Sequence, residues 1–278
     1  MNERNLILTG IKRSGTTLTC HLLNKVPDVI ALHEPMKVSK FAEYESREEL
    51  CEAVARFFQF VRRIAHEEGK IVTRHFEGAV PANTFGDQRS KEGLRKGIGT
   101  NKGKTAIDKQ VSENFLLCIK HPGAFTAVLE SLAKHFPCYA VIRNPLAILA
   151  SWNSVNMPVA KGHIPAAERL DENLAEKLAH TKDKYDRQIH LLAWHFEKYH
   201  AVLPKSSVFR YEDIVASGGK RLAAIAPGAA SLNEPMESQN KSKRYDSAVM
   251  QTLAEKLLRT EGAMWEFYSK ESVAALLD

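Results

Sequence analysis

A short apolar run that leads into a glycine-containing loop constrains this chain more than any other feature. Residues 5–9 (NLILT) have the composition of a buried β-strand, and residues 10–18 (GIKRSGTTL) continue directly into a helical pattern. Two glycines allow a tight turn in which backbone N–H groups and a helix N-terminus converge on one anion, and Lys12 and Arg13 add positive charge. The loop is therefore predicted to hold a phosphate or sulfate group.

This loop differs from the phosphate-binding loop of nucleoside triphosphatases at one position. Their pattern is G-x-x-x-x-G-K-[ST], whereas here Gly15 is followed by Thr16 and Thr17. The lysine that reaches the β- and γ-phosphates is missing, and the cations stand before the second glycine instead. Ordinary ATP or GTP hydrolysis is disfavoured and a different phosphate donor is indicated, with a P-loop kinase or NTPase kept as an alternative.

The composition is that of a soluble globular protein. Of the 278 residues, 44% are hydrophobic and 26% are charged, and the formal net charge is +6. This charge suits anionic ligands but is too small and dispersed to indicate nucleic acid. No C-x-x-C pair occurs, no apolar run approaches the ~18 residues that cross a bilayer, and a strand begins close to Met1. We expect a cytoplasmic protein without a membrane span.

Apolar runs and helical periodicity alternate along the chain. Further strands are predicted at residues 115–120, 139–143 and 207–211, and helices at 48–67, 125–135, 146–152, 183–203 and 247–258. Strands that alternate with helices form a parallel sheet covered on both faces. The expected fold is α/β: one domain over residues 1–278, with a three-layer, P-loop-like arrangement of a central parallel sheet flanked by helices.

A basic, glycine-rich stretch at about residues 78–109 interrupts this pattern. It has few large apolar residues, which predicts a mobile insertion or lid. Within it, residues 97–105 (GIGTNKGKT) end like a nucleotide-binding loop. Ile98 stands where the first glycine is required, however, and no apolar strand precedes the segment. A flexible basic surface segment is the favoured interpretation.

Cations also follow two other predicted strands. Lys120 and His121 come at the end of the 115–120 run, and Arg143 at the end of the 139–143 run. Ligands of parallel α/β sheets bind outside the carboxyl ends of the strands. Since three separate segments place cations or glycine there, they are predicted to line a single anionic site.

With these segments in view, the chain resembles the superfamily of sulfotransferases that use 3′-phosphoadenosine-5′-phosphosulfate (PAPS). Residues 13–18 (RSGTTL) resemble the family's 5′-phosphosulfate loop in its arginine variant, as in bacterial, carbohydrate and tyrosyl-protein enzymes. Residues 141–151, in which Arg143 and Ser151 lie eight positions apart, resemble its 3′-phosphate segment. Shorter matches occur at residues 33–35, 120–122 and 210–213, so the resemblance omits mainly the 78–109 insertion and the C-terminus.

The resemblance implies a nucleotide held at both ends and no metal. The residues that would contact the 5′-phosphosulfate are Lys12, Arg13, Ser14, Gly15, Thr16 and Thr17, and those at the 3′-phosphate are Arg143 and Ser151. An arginine fork suits bidentate phosphate binding. Arg13 would in addition stabilise the charge that develops as the bond to sulfur breaks, with Lys12 either sharing this role or facing solvent.

Two residues are candidates for the base that deprotonates the acceptor. Glu34 resembles the glutamate base of the tyrosyl-protein and several carbohydrate and bacterial enzymes, and His121 the histidine base of the cytosolic phenol and steroid enzymes. With reference pKa values of ~4.3 and ~6.5, both are competent at neutral pH. Glu34 is favoured because the arginine-type loop accompanies glutamate, and Lys120 is then implied to contact the transferring group.

The function implied is in-line transfer of a sulfuryl group from PAPS to a hydroxyl or amine of a small-molecule or carbohydrate acceptor. The alternatives are a P-loop nucleotide kinase or NTPase and a non-catalytic nucleotide-binding protein. No pattern in the chain identifies the acceptor, because specificity in such enzymes lies in insertions.

Overall fold

The central element of the molecule is a five-stranded parallel sheet. The computed structural model describes residues 3–277. The strands described in the protein as a whole are β1 (Asn5–Gly10), β2 (Val29–His33), β3 (Lys70–His75), β4 (Phe85–Arg89), β5 (Arg95–Gly97), β6 (Asn101–Ala106), β7 (Leu116–Lys120), β8 (Cys138–Ile142) and β9 (Val208–Arg210). The sheet has the order β2-β7-β1-β8-β9 and every neighbouring pair is parallel. The predicted α/β fold with a central parallel sheet is confirmed.

Helices of very different length connect and cover these strands. They are α1 (Thr16–Asn24), α2 (Arg47–Glu68), α3 (Ala124–Ala127), α4 (Leu129–Leu132), α5 (Pro145–Asn153), α6 (Pro165–Glu168), α7 (Glu172–His180), α8 (Lys184–Val202), α9 (Tyr211–Ala216), α10 (Ser247–Leu258) and α11 (Lys270–Ala274). Local chemistry defines several starts: the Asn144 side chain accepts from two N–H groups of α5, and Pro145 occupies its first position. No described helix is long and apolar enough to span a membrane.

Two hydrophobic cores lie on opposite faces of the sheet. Alternate residues of β1 divide between them, since Ile7 belongs to one core and Leu6 and Leu8 to the other. Residues of α2, α5, α8 and α10 complete the first core, and residues of α1 and α9 complete the second. The sheet is therefore covered on both faces, which is the three-layer arrangement that the sequence predicted.

Three local predictions were wrong or incomplete. The 125–135 helix is interrupted at Val128, where φ of −115° separates α3 from α4. Strand β2 was not predicted. No strands were predicted in the 78–109 insertion, but it contains three: β4 pairs antiparallel with β5, and β6 pairs antiparallel with β3, which precedes the insertion. The nucleotide-loop-like segment 97–105 lies across β5, a turn and β6 and leads into no helix.

Candidate functional site

The carboxyl ends of the central strands bring the predicted site residues together in an ordered row. Across the sheet, Glu34 follows β2, Lys120 ends β7, the 10–17 loop follows β1 and Arg143 follows β8. The loop therefore has a carboxylate–lysine pair on one side and an arginine on the other. This order gives the site two halves with different chemistry.

The glycine loop is shaped by close packing against its neighbours. Gly10 (φ 151°) and Gly15 (φ 95°) adopt conformations that favour glycine, and a Cβ at either would come within 2.7 Å of the Val141 carbonyl or the Tyr211 ring. The Ser14 hydroxyl donates to Val141 O at 2.7 Å, and its N–H donates within the loop. Ser14 thus holds the shape of the loop, and both of its donors are used.

Thr17 connects the two halves of the site. Helix α1 starts at Thr16, with Gly15 before it and no side-chain cap, so the cap residue supplies no side-chain acceptor to its first N–H groups. Thr17 lines the cavity described below and its Oγ1 accepts a hydrogen bond from Lys120 Nζ at 3.4 Å. The loop and the Lys120 ammonium are therefore in direct contact.

Glu34 and Lys120 form a largely buried ion pair. Their Oε1 and Nζ atoms are 3.1 Å apart, and the side chains are 28% and 2% exposed. His33 Nδ1 also accepts from Lys120 Nζ at 3.0 Å. Burial opposes ionisation of Glu34, but the Lys120 ammonium, followed by Lys12, holds the pKa of Glu34 well below its usual range. The carboxylate is ionised at neutral pH.

The free carboxylate oxygen and the strained backbone of Glu34 are the features expected of a reacting group. Within residues 3–277 no group donates a hydrogen bond to Oε2. Glu34 (φ 48°) and Arg13 (φ 73°) are two of the four described non-glycine residues with positive φ. Such strain costs of the order of 1 kcal/mol and is retained mainly at functional sites.

His121, the second candidate base, is occupied by structural contacts. It is 4% exposed, and its Nε2 accepts the Met36 N–H at 3.0 Å. Its ring meets Phe125 edge-on, with centroids 5.0 Å apart. Burial lowers the pKa of His121 to about 3, so the imidazole is neutral at physiological pH. The nitrogen that could accept a proton is already used.

The other half of the site is a cavity of about 370 Å³ with a strongly basic lining. Four arginines contribute to it, namely Arg13, Arg95, Arg143 and Arg244, together with Thr16, Thr17, Tyr211 and Tyr245. Glu237 is the acidic residue among the described lining residues. A cavity of this size and charge suits a ligand with several anionic groups.

Arg143 is the most constrained of these arginines. Its Nε donates to Asn240 Oδ1 at 2.7 Å, Nη2 to Tyr245 Oη at 3.1 Å and Nη1 to Arg13 O at 3.2 Å. Its guanidinium also lies 4.7 Å from the centre of the Tyr211 ring. Because a guanidinium has five N–H donors, two remain for a ligand.

Arg13, which lines this cavity, contacts Ser151, 138 residues away in sequence. Arg13 Nε donates to Ser151 Oγ at 3.2 Å, and Nη1 donates to Asn83 Oδ1 at 3.3 Å. Burial, followed by the Arg95 charge, lowers the pKa of Arg13 to about 10, so it remains protonated at neutral pH. Arg13 faces the arginine cavity, whereas Lys12 is the loop cation whose charge acts on Glu34.

Several site residues were not found from the sequence. Arg95 is 5% exposed, and its Nη2 donates to Ser154 Oγ at 3.3 Å while its Nε is buried without a partner. It lies in the insertion that was interpreted as basic surface, and no signal separates it there from the exposed lysines. His33 precedes a recognised glutamate, but its contact with Lys120 depends on the pairing of β2 with β7.

Comparison with known proteins gives only distant similarity. No protein-family model and no curated protein matches the chain. Among solved structures it is similar to the sulfotransferase STF1 of Mycobacterium tuberculosis H37Rv, with 14% identity, a TM-score of 0.36 and coverage of 100% of this chain and 77% of that one. It is also similar to the sulfotransferase STF9 of Mycobacterium avium, with 14% identity, a TM-score of 0.36 and coverage of 99% of this chain and 75% of that one. Similarity this distant transfers no activity to this chain.

Proposed function

We propose that the protein is a sulfotransferase that moves a sulfuryl group from PAPS to a hydroxyl or amine acceptor. One observation carries this proposal: an ionised Glu34, paired with the buried Lys120, adjoins a phosphate-type loop whose other side opens into a four-arginine cavity. This reaction requires a base beside an anion site that binds a nucleotide with phosphates at two positions.

The residues present fit the nucleotide. Arg143, Arg13 and Ser151 would bind the 3′-phosphate side, and the N–H groups of the loop with Thr16 and Thr17 would bind the 5′ end. The unpartnered Nε of Arg95 and the two free N–H groups of Arg143 are donors without protein acceptors in the described chain. When bound, PAPS supplies the sulfuryl group and a good leaving group.

The proposed mechanism assigns one task to each charged group. Glu34 Oε2 takes the proton of the acceptor as the acceptor oxygen or nitrogen bonds to sulfur and the bond from sulfur to the 5′-phosphate breaks. Lys120 and Lys12 stabilise the negative charge on the transferring group. The family resemblance assigned this stabilisation to Arg13 and Lys120, with Lys12 as a possible second cation. The position of Arg13 favours nucleotide binding instead.

The kinase or NTPase alternative fits the neighbouring strands less well. P-loop NTPases hold their Mg²⁺ with the loop hydroxyl and an aspartate from a nearby strand. Here the strands on either side of β1 are followed by Lys120 and Arg143, which are cations. Together with Thr16 in place of the loop lysine, this chemistry favours a donor that is bound through arginines and lysines.

Thermal stabilisation by 3′-phosphoadenosine-5′-phosphate, measured beside ATP·Mg²⁺, tests the proposal. At ~100 times Kd a ligand adds ~2.7 kcal/mol, which raises the midpoint of a chain this size by several degrees. We expect this shift with the 3′-phosphorylated nucleotide, its loss in Arg143→Gln, and its retention in Arg56→Gln, an exposed control on α2. A shift with ATP·Mg²⁺ alone would reject the proposal, and turnover of PAPS with a panel of acceptors would separate an enzyme from a binding protein.

A further inference from the structure

Four cations outside the arginine cavity act on Glu34, on its neighbours His33 and His121, or on one another. They are Lys12, Lys37, Arg74 and Lys102, named here the acceptor-side cluster. Lys12 lies in the glycine loop and Lys37 comes three residues after Glu34. Arg74 and Lys102 are paired across β3 and β6. Three separate parts of the chain therefore contribute positive charge to one place.

Backbone contacts bring these segments to the end of β2. Thr73 Oγ1 accepts the His33 N–H at 2.8 Å, which fixes β3, and with it Arg74, beside the end of β2. The Met36 N–H bond to His121 anchors the segment that carries Lys37. The charge of Arg74 acts on His33, and the charges of Lys102 and Lys12 act on His121, as expected for groups gathered around one point.

The cluster lacks counter-charge within the described residues. None of its four members forms an ion pair with a carboxylate in residues 3–277, whereas other cations such as Lys25, Lys104 and Lys256 do. Arg74 donates to Thr100 O at 3.3 Å, but its Nε is buried without a partner. Burial, followed by the charges of Arg74 and Lys37, lowers the pKa of Lys102. Glu34 cannot neutralise the cluster, because its charge is shared with Lys120.

We infer that the acceptor carries an anionic group of its own, a carboxylate or sulfate, beside the hydroxyl or amine that reacts. This inference rests on the proposed function, because it takes Glu34 as the point where the acceptor reacts. An anion on the acceptor would relieve the mutual repulsion of the cluster and orient the reacting group towards Glu34. A small or oligomeric acid fits better than nucleic acid, because the cluster is local and the net charge of the chain is only +6.

This inference can be tested with matched pairs of acceptors, in which one member has a carboxylate and the other does not. With 3′-phosphoadenosine-5′-phosphate bound, calorimetry would compare methyl β-glucuronide with methyl β-glucoside, and 4-hydroxyphenylacetate with its amide. We expect the carboxylate member to bind about tenfold or more tightly and to weaken as salt is added. Lys102→Gln and Arg74→Gln should each reduce this preference about fivefold. Lys104→Gln, on the same strand but paired with Glu68, should leave it unchanged.

The outcomes separate this inference from the proposed function. Equal binding of both members, binding of neither, or a preference that survives Lys102→Gln and Arg74→Gln would overturn the inference. The nucleotide-induced thermal shift is recorded in the same samples. If that shift is present while acceptors show no charge preference, only the inference fails. If the shift is absent, the proposed function fails as well.

Discussion

The Glu34–Lys120 pair shows how one contact sets the protonation state of a candidate base. A carboxylate whose pKa is held low is ionised at every physiological pH but binds a proton weakly. Proton transfer to it becomes favourable only as the acceptor oxygen bonds to sulfur and its O–H becomes acidic. Glu34 would therefore act late in the reaction, and the acceptor would keep its proton until the donor is in place.

Replacement of the two candidate bases should give opposite results. Glu34→Gln keeps the shape and the hydrogen bond from Lys120 but cannot accept a proton, so we expect kcat to fall ~10²–10⁴-fold with an unchanged nucleotide-induced thermal shift. His121→Gln can still accept the Met36 N–H, and we expect it to retain most of kcat. Steady-state kinetics with PAPS would measure both. Full activity of Glu34→Gln would show that the base lies elsewhere.

The two adjacent loop cations should affect different kinetic parameters. Lys12 acts on Glu34, whereas Arg13 contacts Ser151 in the arginine cavity. We therefore expect Lys12→Gln to lower kcat by tenfold or more with little change in nucleotide affinity. Arg13→Gln should instead weaken nucleotide binding by about tenfold or more. Calorimetric titration with 3′-phosphoadenosine-5′-phosphate beside kcat measurements would decide. A kcat effect confined to Arg13→Gln would restore the role that the sequence assigned to it.

At the scale of elements, a strand or helix could be predicted when the residues that specify it are consecutive in the sequence. The β1–loop–α1 unit could be predicted because strand, glycines and helix start are consecutive. Helix α5 could be predicted because Asn144 and Pro145 specify its first turn. The short run VIALH of β2 shows no alternation, and only its pairing with β7 makes it a strand. The strands of the insertion are polar and exposed, so hydrophobic patterning could not reveal them.

The choice between two bases was equally non-local. Glu34 and His121 are both competent by residue type. The contact that occupies His121 joins residues 85 apart in sequence, and the contact that ionises Glu34 joins residues 86 apart. That these side chains lie close together could be predicted from the strand ends. Which of them has a free acceptor atom could not, because that depends on which backbone group contacts each side chain.

The β4–β5 arm should contribute to nucleotide binding through Arg95. The Arg95 N–H donates to Ser154 O at 3.0 Å, which fixes this arm against the residues that follow α5. We expect Arg95→Gln to weaken binding of 3′-phosphoadenosine-5′-phosphate about tenfold, the size of one charge-assisted hydrogen bond. The neighbouring Lys96 is exposed and points to the other side of the strand, so Lys96→Gln is the matched control. Equal affinities in both variants would remove Arg95 from the site.

At the scale of the whole molecule, the order of the strands separates the Glu34–Lys120 pair from the arginine cavity. Glu34 follows β2 and Lys120 ends β7, on one side of the central strand β1, and Arg143 follows β8 on the other side. The loop after β1 lies between them and contacts both sides through Thr17 and Arg13. In the proposed reaction the loop would hold the 5′ end with its sulfuryl group facing Glu34, while the 3′-phosphate lies in the arginine cavity. A change in strand order would abolish the site even with every residue retained.

The same burial that positions the site should make the whole fold sensitive to acid. Burial lowers the pKa of His33 to about 2, of His121 to about 3 and of His195 to about 4. The reference pKa of histidine in an unfolded chain is ~6.5. Below that pH the unfolded state binds protons that the folded state excludes. The free energy of unfolding therefore decreases as the pH is lowered, by up to ~1.4 kcal/mol per pH unit for each histidine. We expect urea midpoints to decrease from pH 7 to pH 5.

His195 offers the cleanest test of this coupling, because it lies apart from the Glu34–Lys120 pair. Its Nδ1 donates to Leu191 O at 2.7 Å and its Nε2 is buried without a partner, so the neutral ring has no acceptor for a second proton. His195→Phe should therefore flatten the pH dependence of the free energy of unfolding by up to ~1.4 kcal/mol per pH unit, whatever its effect at pH 7. The exposed His180 is the control, since His180→Gln should leave the slope unchanged. An unaltered slope in His195→Phe would mean that the folded state can protonate His195, and that the packing around α8 admits charge or water.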